Sequence, residues 1–512
     1  MIRNTIIHAR MTYHFHSILC CMVIQAYTVY AQSINELENK PDISYTIHLN
    51  TINNNISLNI HCYFDSDTSN YTDICFFPQP NWNQHQYLVK AIHSDTPSVH
   101  IEQFPNSLFW RVYHPPNSRV HIRYDITHDS TAFNQENMHQ PLPVIFNDNY
   151  FLIENASMLT IPVSWLEDEA NILKQRKIRI DWRTDSSWQY ANSFGMNIKT
   201  QIISVSARDL LRSMTIGSRN QKKCTISTFT ISTRQSLQIA ISGAFIPQYE
   251  LFANTIKHIV QSSILFWQDT TRFNYIATVI PVEMAQEDVE NGVIGFSIAN
   301  AFVAMMSEKR NNMNFSCKYL FAHEMLHKWI NGECFPLQDF SGFGYCAAEG
   351  FTDYVARYIL LQNGSITKAE YLRDMNIQIE SYLQSPFKNI IADSVKKNFW
   401  NSLQIMRVPY RRGDILAHIW ASEIRKHTKG KHDFATALRD IMQQHSGTAI
   451  IDQIFAKSLE PYIGRNVIDD ILKYMKNGET IPIPSDMIPF ARVIKAQGSA
   501  DIPQFELLPE SK

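Results

Sequence analysis

The chain has 512 residues, of which 45% are hydrophobic, with 46 Lys and Arg against 48 Asp and Glu. The apolar content excludes a mainly disordered chain, and the balanced charge gives no basic excess that would indicate a nucleic-acid partner. At roughly 100–200 residues per domain, this length predicts about three domains.

The first 31 residues are typical of a signal peptide. Arg3 and Arg10 are the only charges in this stretch, and an apolar run over residues 18–31 ends at Ala31. We expect cleavage after Ala31 and a secreted or periplasmic protein without stable membrane insertion, because the run is short for a transmembrane span. An uncleaved membrane anchor, or a lipoprotein attached through Cys20, are the alternatives.

Six cysteines follow the predicted signal peptide, and they are Cys62, Cys75, Cys224, Cys317, Cys334 and Cys346. An even number in an exported chain permits disulfides, and the pairs closest in sequence are Cys62 with Cys75 and Cys334 with Cys346. Buried free thiols are the alternative.

The first part of the mature chain alternates apolar and polar residues. Residues 43–49 and 56–62 have this pattern on either side of three asparagines, which predicts a β-hairpin. Residues 120–124 and 178–182 repeat the alternation, and prolines separate the short runs. We therefore predict an N-terminal β-sandwich.

The pattern changes to helical spacing further along the chain. Apolar residues lie on one face of a predicted helix over residues 251–267, and residues 275–282 read as a compact strand. Beyond residue 316 the chain is predicted to be chiefly helical. The boundary between the two patterns falls between residues 184 and 247.

A short motif carries the chemistry. His323 and His327 are four residues apart in a segment, residues 315–330, whose pattern predicts a helix. That spacing puts both imidazoles on one face, where they can bind one Zn²⁺, and Glu324 can hold and deprotonate a metal-bound water. The alternative is a pair of histidines with hydrogen-bond partners on a helix surface.

The ends of this helix have candidate capping residues. Asn314 or Ser316 can cap its start, and residues 331–332, Asn-Gly, can end it.

A third metal ligand is expected from a later helix. Glu349 follows His327 by 22 positions, and Asp353 lies one turn further along, where it can accept the free ring N–H of a ligand histidine. An ordinary solvated carboxylate is the alternative for Glu349.

A hydroxyl that stabilises the developing oxyanion would complete the site. Tyr410, expected to open the helix that carries Leu416, is the candidate. A packed core tyrosine is the alternative, and other tyrosines near in sequence are Tyr345, Tyr354 and Tyr358.

Three segments in order, HEMLHKW, AAEGFTDYVARYILLQNGSITKAEYL and PYRRGDILAHIWASEIRKHTKGKHDF, resemble the glycyl-aminopeptidase family of gluzincin zinc metallopeptidases and, more distantly, aminopeptidase N-like enzymes. The resemblance covers about residues 318–434. It implies His323, His327 and Glu349 as zinc ligands and Glu324 as general base and acid.

The same resemblance implies that Asp353 supports a ligand histidine and that Tyr410 stabilises the tetrahedral intermediate. Arg412 stands where the family has a lysine, which keeps the charge but changes the geometry.

The sequence also departs from these families. Residues 291–297 stand where aminopeptidase N-like enzymes have a glutamate that binds the substrate amine, and they contain no acid. We expect them to form an edge strand that pairs with extended peptide. Glu287, Asp288 and Glu290 lie just before them and could contribute an acid that binds the substrate amine. No counterpart of the glycyl-aminopeptidase PDZ domain is expected.

Together these observations predict a multidomain α+β protein. After a signal peptide at residues 1–31 we expect an N-terminal β-sandwich over 32–230, a thermolysin-like catalytic domain over 231–370 and a helical C-terminal domain over 371–512. The predicted function is that of an exported zinc metallopeptidase, with aminopeptidase action on a peptide or protein substrate. The alternatives are a catalytically silent binding protein with the gluzincin fold and a zinc hydrolase of a non-peptide substrate.

Overall fold

The structure is a computed structural model that describes residues 40–52, 55–76, 89–105, 109–127, 145–146, 148–282, 292–308, 313–337, 342–495 and 502–509. The predicted signal peptide and its cleavage site lie outside these residues, as do Glu287, Asp288 and Glu290. Within the described ranges, no helix has both the length and the apolar character needed to cross a membrane.

Among the described residues, the first part of the chain contains fifteen strands in three sheets. They are β1 (Ile43–Ile52), β2 (Asn55–Asp65), β3 (Tyr71–Cys75), β4 (Val89–His93), β5 (His100–Gln103), β6 (Phe109–Tyr113), β7 (Arg119–Thr127), β8 (Ile145–Phe146), β9 (Tyr150–Glu154), β10 (Ile161–Pro162), β11 (Gln175–Arg183), β12 (Gln189–Asn192), β13 (Gly195–Met196), β14 (Thr200–Ser206) and β15 (Met214–Ser218). One-turn helices within this part are Asn155–Met158, Val163–Trp165, Glu169–Leu173 and Ala207–Leu211.

The predicted hairpin is confirmed. Strands β1 and β2 pair antiparallel with Tyr45 opposite Cys62, and they lie in a six-stranded sheet of order β14-β11-β1-β2-β7-β4. Because successive side chains of a strand point to opposite faces, the apolar positions fall on one face. That face and the four-stranded sheet β10-β3-β6-β5 contribute to one hydrophobic core.

A mixed five-stranded sheet packs on the helix that carries the predicted ligands His323 and His327. Its strands are β16 (Cys224–Thr230), β17 (Gln235–Ser242), β18 (Phe273–Val282), β19 (Val293–Ile298) and β20 (Ala301–Ser307), in the order β16-β17-β18-β20-β19. One face packs on the sheet that contains β9, β12 and β15. The other face packs on helices α1 (Tyr249–Trp267) and α2 (Phe315–Leu326), with the short helix Gly243–Gln248 leading into α1.

The predicted helix over residues 251–267 and the predicted strand over 275–282 are confirmed by α1 and β18. The expected face of α1 is buried, and its members are Phe252, Ile256, Ile259, Ser263 and Trp267.

The remainder of the chain is chiefly helical, as predicted. Its longer helices are α3 (Thr352–Gln362), α4 (Lys368–Gln384), α5 (Ala392–Asn398), α6 (Leu403–His427), α7 (Phe434–Gln444) and α8 (Asp452–Ile463). Short helical segments at Phe343–Tyr345, Cys346–Phe351, Phe399–Asn401, Ile468–Asp470 and Ile471–Lys476 connect them, and a hairpin of β21 (Ala491–Lys495) and β22 (Pro503–Leu507) follows. The architecture is thus mixed α+β, and the division into domains stays a prediction.

The suggested disulfides do not form in the structure. Within the described residues, none of the six cysteines after the predicted signal peptide forms a disulfide; five are buried and Cys334 is half-buried. Burial disfavours the thiolate and raises the pKa of Cys75 and of Cys224 to about 12. These residues therefore act as small apolar core side chains, which was the alternative interpretation.

Glu154, the last residue of β9, is a buried carboxyl group. Its side chain is 4% exposed, and within the described part of the chain its Oε2 has no hydrogen-bond partner. Burial raises the pKa of Glu154 to about 8, although Arg212 opposes the shift. Since this pKa lies above the ordinary value of 4.5, the folded chain binds more protons than the unfolded chain between these values.

Glu154→Gln should therefore change how stability depends on pH. Glu154 is protonated in both the folded and the unfolded chain below about pH 4.5, and its stabilising contribution is fully present there. The free energy of unfolding decreases as the pH rises through about 8, where the buried carboxyl must ionise. At pH 9 the neutral glutamine should raise the free energy of unfolding by roughly 1–4 kcal/mol, and at pH 4.5 the two proteins should be alike. Thermal unfolding at both pH values measures this, with the exposed Glu167→Gln as control. An equal difference at both pH values would contradict the prediction.

Candidate metal centre

Helix α2 carries the histidine pair and begins at its predicted cap. The Asn314 side chain accepts a hydrogen bond from the backbone N–H of Cys317 at 3.1 Å, so Asn314 rather than Ser316 caps the helix. The predicted end at residue 330 is wrong, because α2 ends at Leu326. The Asn331 side chain donates to the carbonyl of His327 at 3.1 Å and closes the helix there.

The three predicted zinc ligands converge on one point. His323 Nε2 and His327 Nε2 are 3.0 Å apart, and each lies 3.4 Å from Glu349 Oε2. Ligand atoms at 2.0–2.1 Å from a tetrahedral zinc ion are about 3.3 Å apart. The separations and the two-nitrogen, one-oxygen donor set therefore fit a zinc ion with a fourth position open.

Each imidazole is held through its other nitrogen. His323 Nδ1 lies 2.8 Å from Asp353 Oδ1, and His327 Nδ1 lies 2.8 Å from the carbonyl oxygen of Ile330. If each Nδ1–H donates to these oxygens, each Nε2 keeps its lone pair for the metal. The structure thus brings Asp353 to the position that the sequence predicted.

Glu349 lies in a π-helical turn, Cys346–Phe351, that the sequence did not reveal. This turn is crossed by α6 at backbone contact. A Cβ atom at Gly350 would lie 2.5 Å from Gly413 Cα, and one at Gly413 would lie 2.0 Å from the Cys346 carbonyl oxygen. Only glycine fits at both positions, and this pair is the sequence signal that could have indicated the crossing.

The crossing brings Tyr410 to the metal centre. The Tyr410 ring stacks on His323 with centroids 5.9 Å apart, and its hydroxyl lies near enough to Glu349 for that carboxylate to raise the pKa of Tyr410. Burial, together with Glu349 and Glu324, raises the pKa of Tyr410 well above its usual value, so the phenol stays a donor.

The other candidate tyrosines have different surroundings. The Tyr354 hydroxyl donates to Asp433 at 2.6 Å, Tyr358 packs on Phe266, and Tyr345 stacks on Phe399.

One expectation about this segment is wrong. Tyr410 does not open its helix, because α6 begins at Leu403 and contains Pro409 within it. Arg412 is buried, and its Nη2 donates to the carbonyl oxygens of Lys388 and Ile390 at 2.8 and 2.7 Å. Its charge therefore holds a loop of the helical region.

Glu324 lies beside the ligands and under strand β19. Its side chain is buried, and a Cβ atom at Gly295 would lie 2.2 Å from Glu324 Oε1. Burial raises the pKa of Glu324, while His323 and His327 oppose the shift and Ser297 forms a hydrogen bond that also favours the charged form. Sequence reasoning missed Gly295 and Ser297 as neighbours of Glu324.

Strand β19 is an edge strand, as the sequence predicted. It pairs antiparallel with β20 at one end of the sheet order. Its sequence VIGFSI carries no acidic side chain.

The protonation of the ligands opposes metal binding at low pH. Burial disfavours the charged imidazole, but Asp353 and Glu349 outweigh it and raise the pKa of His323 well above its usual value. Burial likewise disfavours an ionised Glu349, yet the two histidines hold its pKa far below its usual range. Metal binding must therefore displace protons from the imidazoles, and metal affinity should increase with pH.

No protein-family model and no curated protein sequence matches this chain. Among solved structures, the chain is similar to an aminopeptidase N family protein from Idiomarina loihiensis, with a TM-score of 0.67 and 14% identity over 88% of this chain and 79% of that one. It is also similar to an M1 zinc metallopeptidase from Deinococcus radiodurans bound to a Tyr-Ser-Ala substrate, with a TM-score of 0.50 and 13% identity over 86% of this chain and 94% of that one. At such identities the similarity establishes a shared fold.

Glu349→Ala should weaken metal binding sharply, because the variant loses one of three protein donors. We expect zinc to bind more than about 100-fold more weakly, since losing even a group that only orients a ligand costs 10–100-fold. Atomic emission after dialysis against buffered zinc measures the bound metal, with the exposed Glu250→Ala as control. Unchanged zinc content would exclude Glu349 as a ligand.

Proposed function

We propose that this chain is an exported zinc-dependent metallopeptidase that acts as an aminopeptidase on a peptide or protein substrate. The observation that carries the proposal is the convergence of His323, His327 and Glu349, with Glu324 beside them under an edge strand. The fold shared with an aminopeptidase N family protein and with an M1 zinc metallopeptidase supports it. Export rests on the first 31 residues.

Closer kinship with the glycyl-aminopeptidase family is the finer part of the proposal. It rests on the order of the three motifs between residues 318 and 434, while the structural similarity supports the broader aminopeptidase N-like group.

The chain's own residues would divide the work of hydrolysis. A zinc ion held by His323, His327 and Glu349 would supply a Lewis acid that polarises the carbonyl and acidifies water. The Glu324 carboxylate accepts the proton of the attacking water and passes it to the leaving amine. The Tyr410 hydroxyl donates a hydrogen bond to the oxygen on which negative charge develops.

Strand β19 would hold the substrate backbone. An edge strand offers its unpaired N–H and C=O groups to an extended peptide, which adds to the sheet as a further strand. Because Gly295 lies against Glu324, a peptide paired with β19 would run past the base.

A second candidate, cleavage within peptide chains, is favoured by a specific observation. Strand β19 lacks an acidic side chain that would bind a free amino terminus. A catalytically silent binding protein and a hydrolase of non-peptide substrates are the remaining candidates.

One experiment separates these functions. The zinc-loaded protein is incubated with peptides that carry free or acetylated amino termini, and the products are identified by mass spectrometry. Release of single residues from free termini supports aminopeptidase action. Internal fragments from both sets support cleavage within chains, and an absence of products from a zinc-containing protein would reject the peptidase.

Glu324→Gln should keep zinc and lose turnover. The amide fills the same space but cannot accept the proton of water, so kcat should fall by about 10²–10⁴-fold. Peptide cleavage rates and zinc content are measured on the same preparation. A variant with full zinc and parental kcat would remove Glu324 from the proposed mechanism.

Tyr410→Phe should lower kcat by about 10²-fold with little change in KM, because the hydrogen bond is made to charge that develops only in the transition state. Steady-state kinetics on one peptide measures both constants. Tyr358→Phe, which removes a hydroxyl from the neighbouring α3, is the matched control and should keep the parental kcat. Equal kinetics for both variants would leave Tyr410 as a packing residue.

A further inference from the structure

Arg357 of α3 is a fully buried guanidinium group below the metal centre. Its Nε lies 2.6 Å from Asp374 Oδ2, and its Nη1 lies 2.7 Å from Asp414 Oδ1. Nη1 also donates to the carbonyl oxygen of Asp353 at 3.4 Å, and Nη2 donates to the Tyr319 hydroxyl at 3.4 Å. One side chain thus contacts α2, α4 and α6 as well as its own helix.

Two of these partners, and Arg357 itself, lie one helical turn from a residue of the candidate metal centre. Tyr319 precedes His323 by four residues on α2, Asp414 follows Tyr410 by four on α6, and Arg357 itself follows Asp353 by four on α3. Residues four apart share a face of a helix. The guanidinium therefore joins the three helices that carry the histidines, Asp353 and Tyr410.

The cluster around Arg357 is held in one arrangement by its hydrogen bonds. Asp414 also lies 3.3 Å from His418 Nδ1, and His418 Nε2 lies 2.7 Å from the Tyr371 hydroxyl. Burial disfavours an ionised Asp414, but Arg357 and His418 hold its pKa below the usual value. A buried ion cluster of this kind adds little net stability over apolar packing. Its position therefore favours a role in holding the helices in one relative arrangement.

The glycine crossing needs such a second restraint. Gly350 and Gly413 fix how closely α6 approaches the turn that carries Glu349, but this contact contains no side chain that would set the rotation of α6 about its axis. The Asp414 side chain, next along the helix, is gripped by Arg357. The backbone contact between Gly350 and Gly413 and the ion pair between Arg357 and Asp414 together define the direction in which Tyr410 points.

We propose that Arg357 is a positioning residue that holds the Tyr410 hydroxyl at the metal centre by fixing α6 through Asp414. This inference rests on the proposed function, because it assigns Tyr410 to the reacting oxygen. Arg357 itself is fully buried, and its hydrogen-bond partners within the described residues are Asp374, Asp414, Tyr319 and the Asp353 carbonyl oxygen.

A double-mutant cycle with a binding readout tests the inference. The probe is a phosphinic peptide, whose tetrahedral phosphorus oxygens stand in for the attacked carbonyl, and its affinity for the zinc-loaded protein is measured by titration calorimetry. Arg357→Lys keeps the charge but loses the planar guanidinium that donates to Asp374 and Asp414 at once. It is combined with Tyr410→Phe, and zinc affinity is measured by chelator competition in each protein.

We expect Arg357→Lys to weaken phosphinic peptide binding and to lower kcat by at least about tenfold, with zinc affinity within about threefold of the parent. In the Tyr410→Phe background the same change should alter binding and kcat by less than about twofold, because the hydroxyl it positions is gone. Equal effects of Arg357→Lys in both backgrounds would overturn the inference and leave Arg357 a structural residue.

Two further proteins complete the test. Asp414→Asn keeps the shape of the side chain and should weaken phosphinic peptide binding and kcat as Arg357→Lys does. These effects should also disappear in the Tyr410→Phe background. If Arg357→Lys fails to fold, the result for Asp414→Asn tests the inference in its place. Arg425→Lys changes another ion-paired arginine at the far end of α6, 2.7 Å from Asp433, and should leave phosphinic peptide binding unchanged. A parent that neither cleaves peptides nor binds the probe overturns the proposed function, whereas an active parent with additive effects overturns the positioning role alone.

Discussion

The backbone contact between Gly350 and Gly413 sets how closely Tyr410 can approach the candidate metal ligands. It lets α6 lie against the π-helical turn that carries Glu349, whose Oε2 lies 3.4 Å from each imidazole Nε2 of α2. A side chain at either position would push the elements apart by more than the length of a hydrogen bond can absorb. The distance between Glu349 and the Tyr410 phenol therefore depends on a crossing that contains no functional atom.

The two glutamates of the centre show how surroundings assign different tasks to the same side chain. Glu324 is buried and Glu349 is half-buried, and removal from water disfavours both charged forms. Glu349 lies against two imidazoles and has a lowered pKa, whereas Glu324 faces the backbone of β19 and has a raised pKa. Carboxyl groups whose pKa values are driven apart in this way are typical of centres that need both a fixed charge and a proton carrier.

Local periodicity predicted a large part of the molecule. The β1–β2 hairpin, α1 and β18 all follow from patterns that extend over a few residues. His323 and His327 share a helical face in any right-handed helix, so their convergence was accessible from spacing alone. Asn314 as the cap was one of two candidates that the sequence offered, and only its contact with Cys317 decides between them.

Features that depend on distant contacts were not accessible. The π-helical turn exists where α6 presses against it. Arg412 was matched to a lysine by its place in the motif, but its direction is set by carbonyl groups some 22–24 residues earlier in the chain. Likewise, neither the spacing of Cys62 and Cys75 nor that of Cys334 and Cys346 could show that none of the four forms a disulfide.

Strand β19 has a consequence for the behaviour of the protein in solution. Along its outer side, within the described ranges, no other strand satisfies its backbone groups, and such a margin pairs with any extended chain that reaches it. Its six-residue length and its central glycine make it a poor template for long cross-chain ladders. The proposed binding of an extended peptide and the avoidance of self-association would place opposing demands on the same backbone. The short length of β19 would meet both.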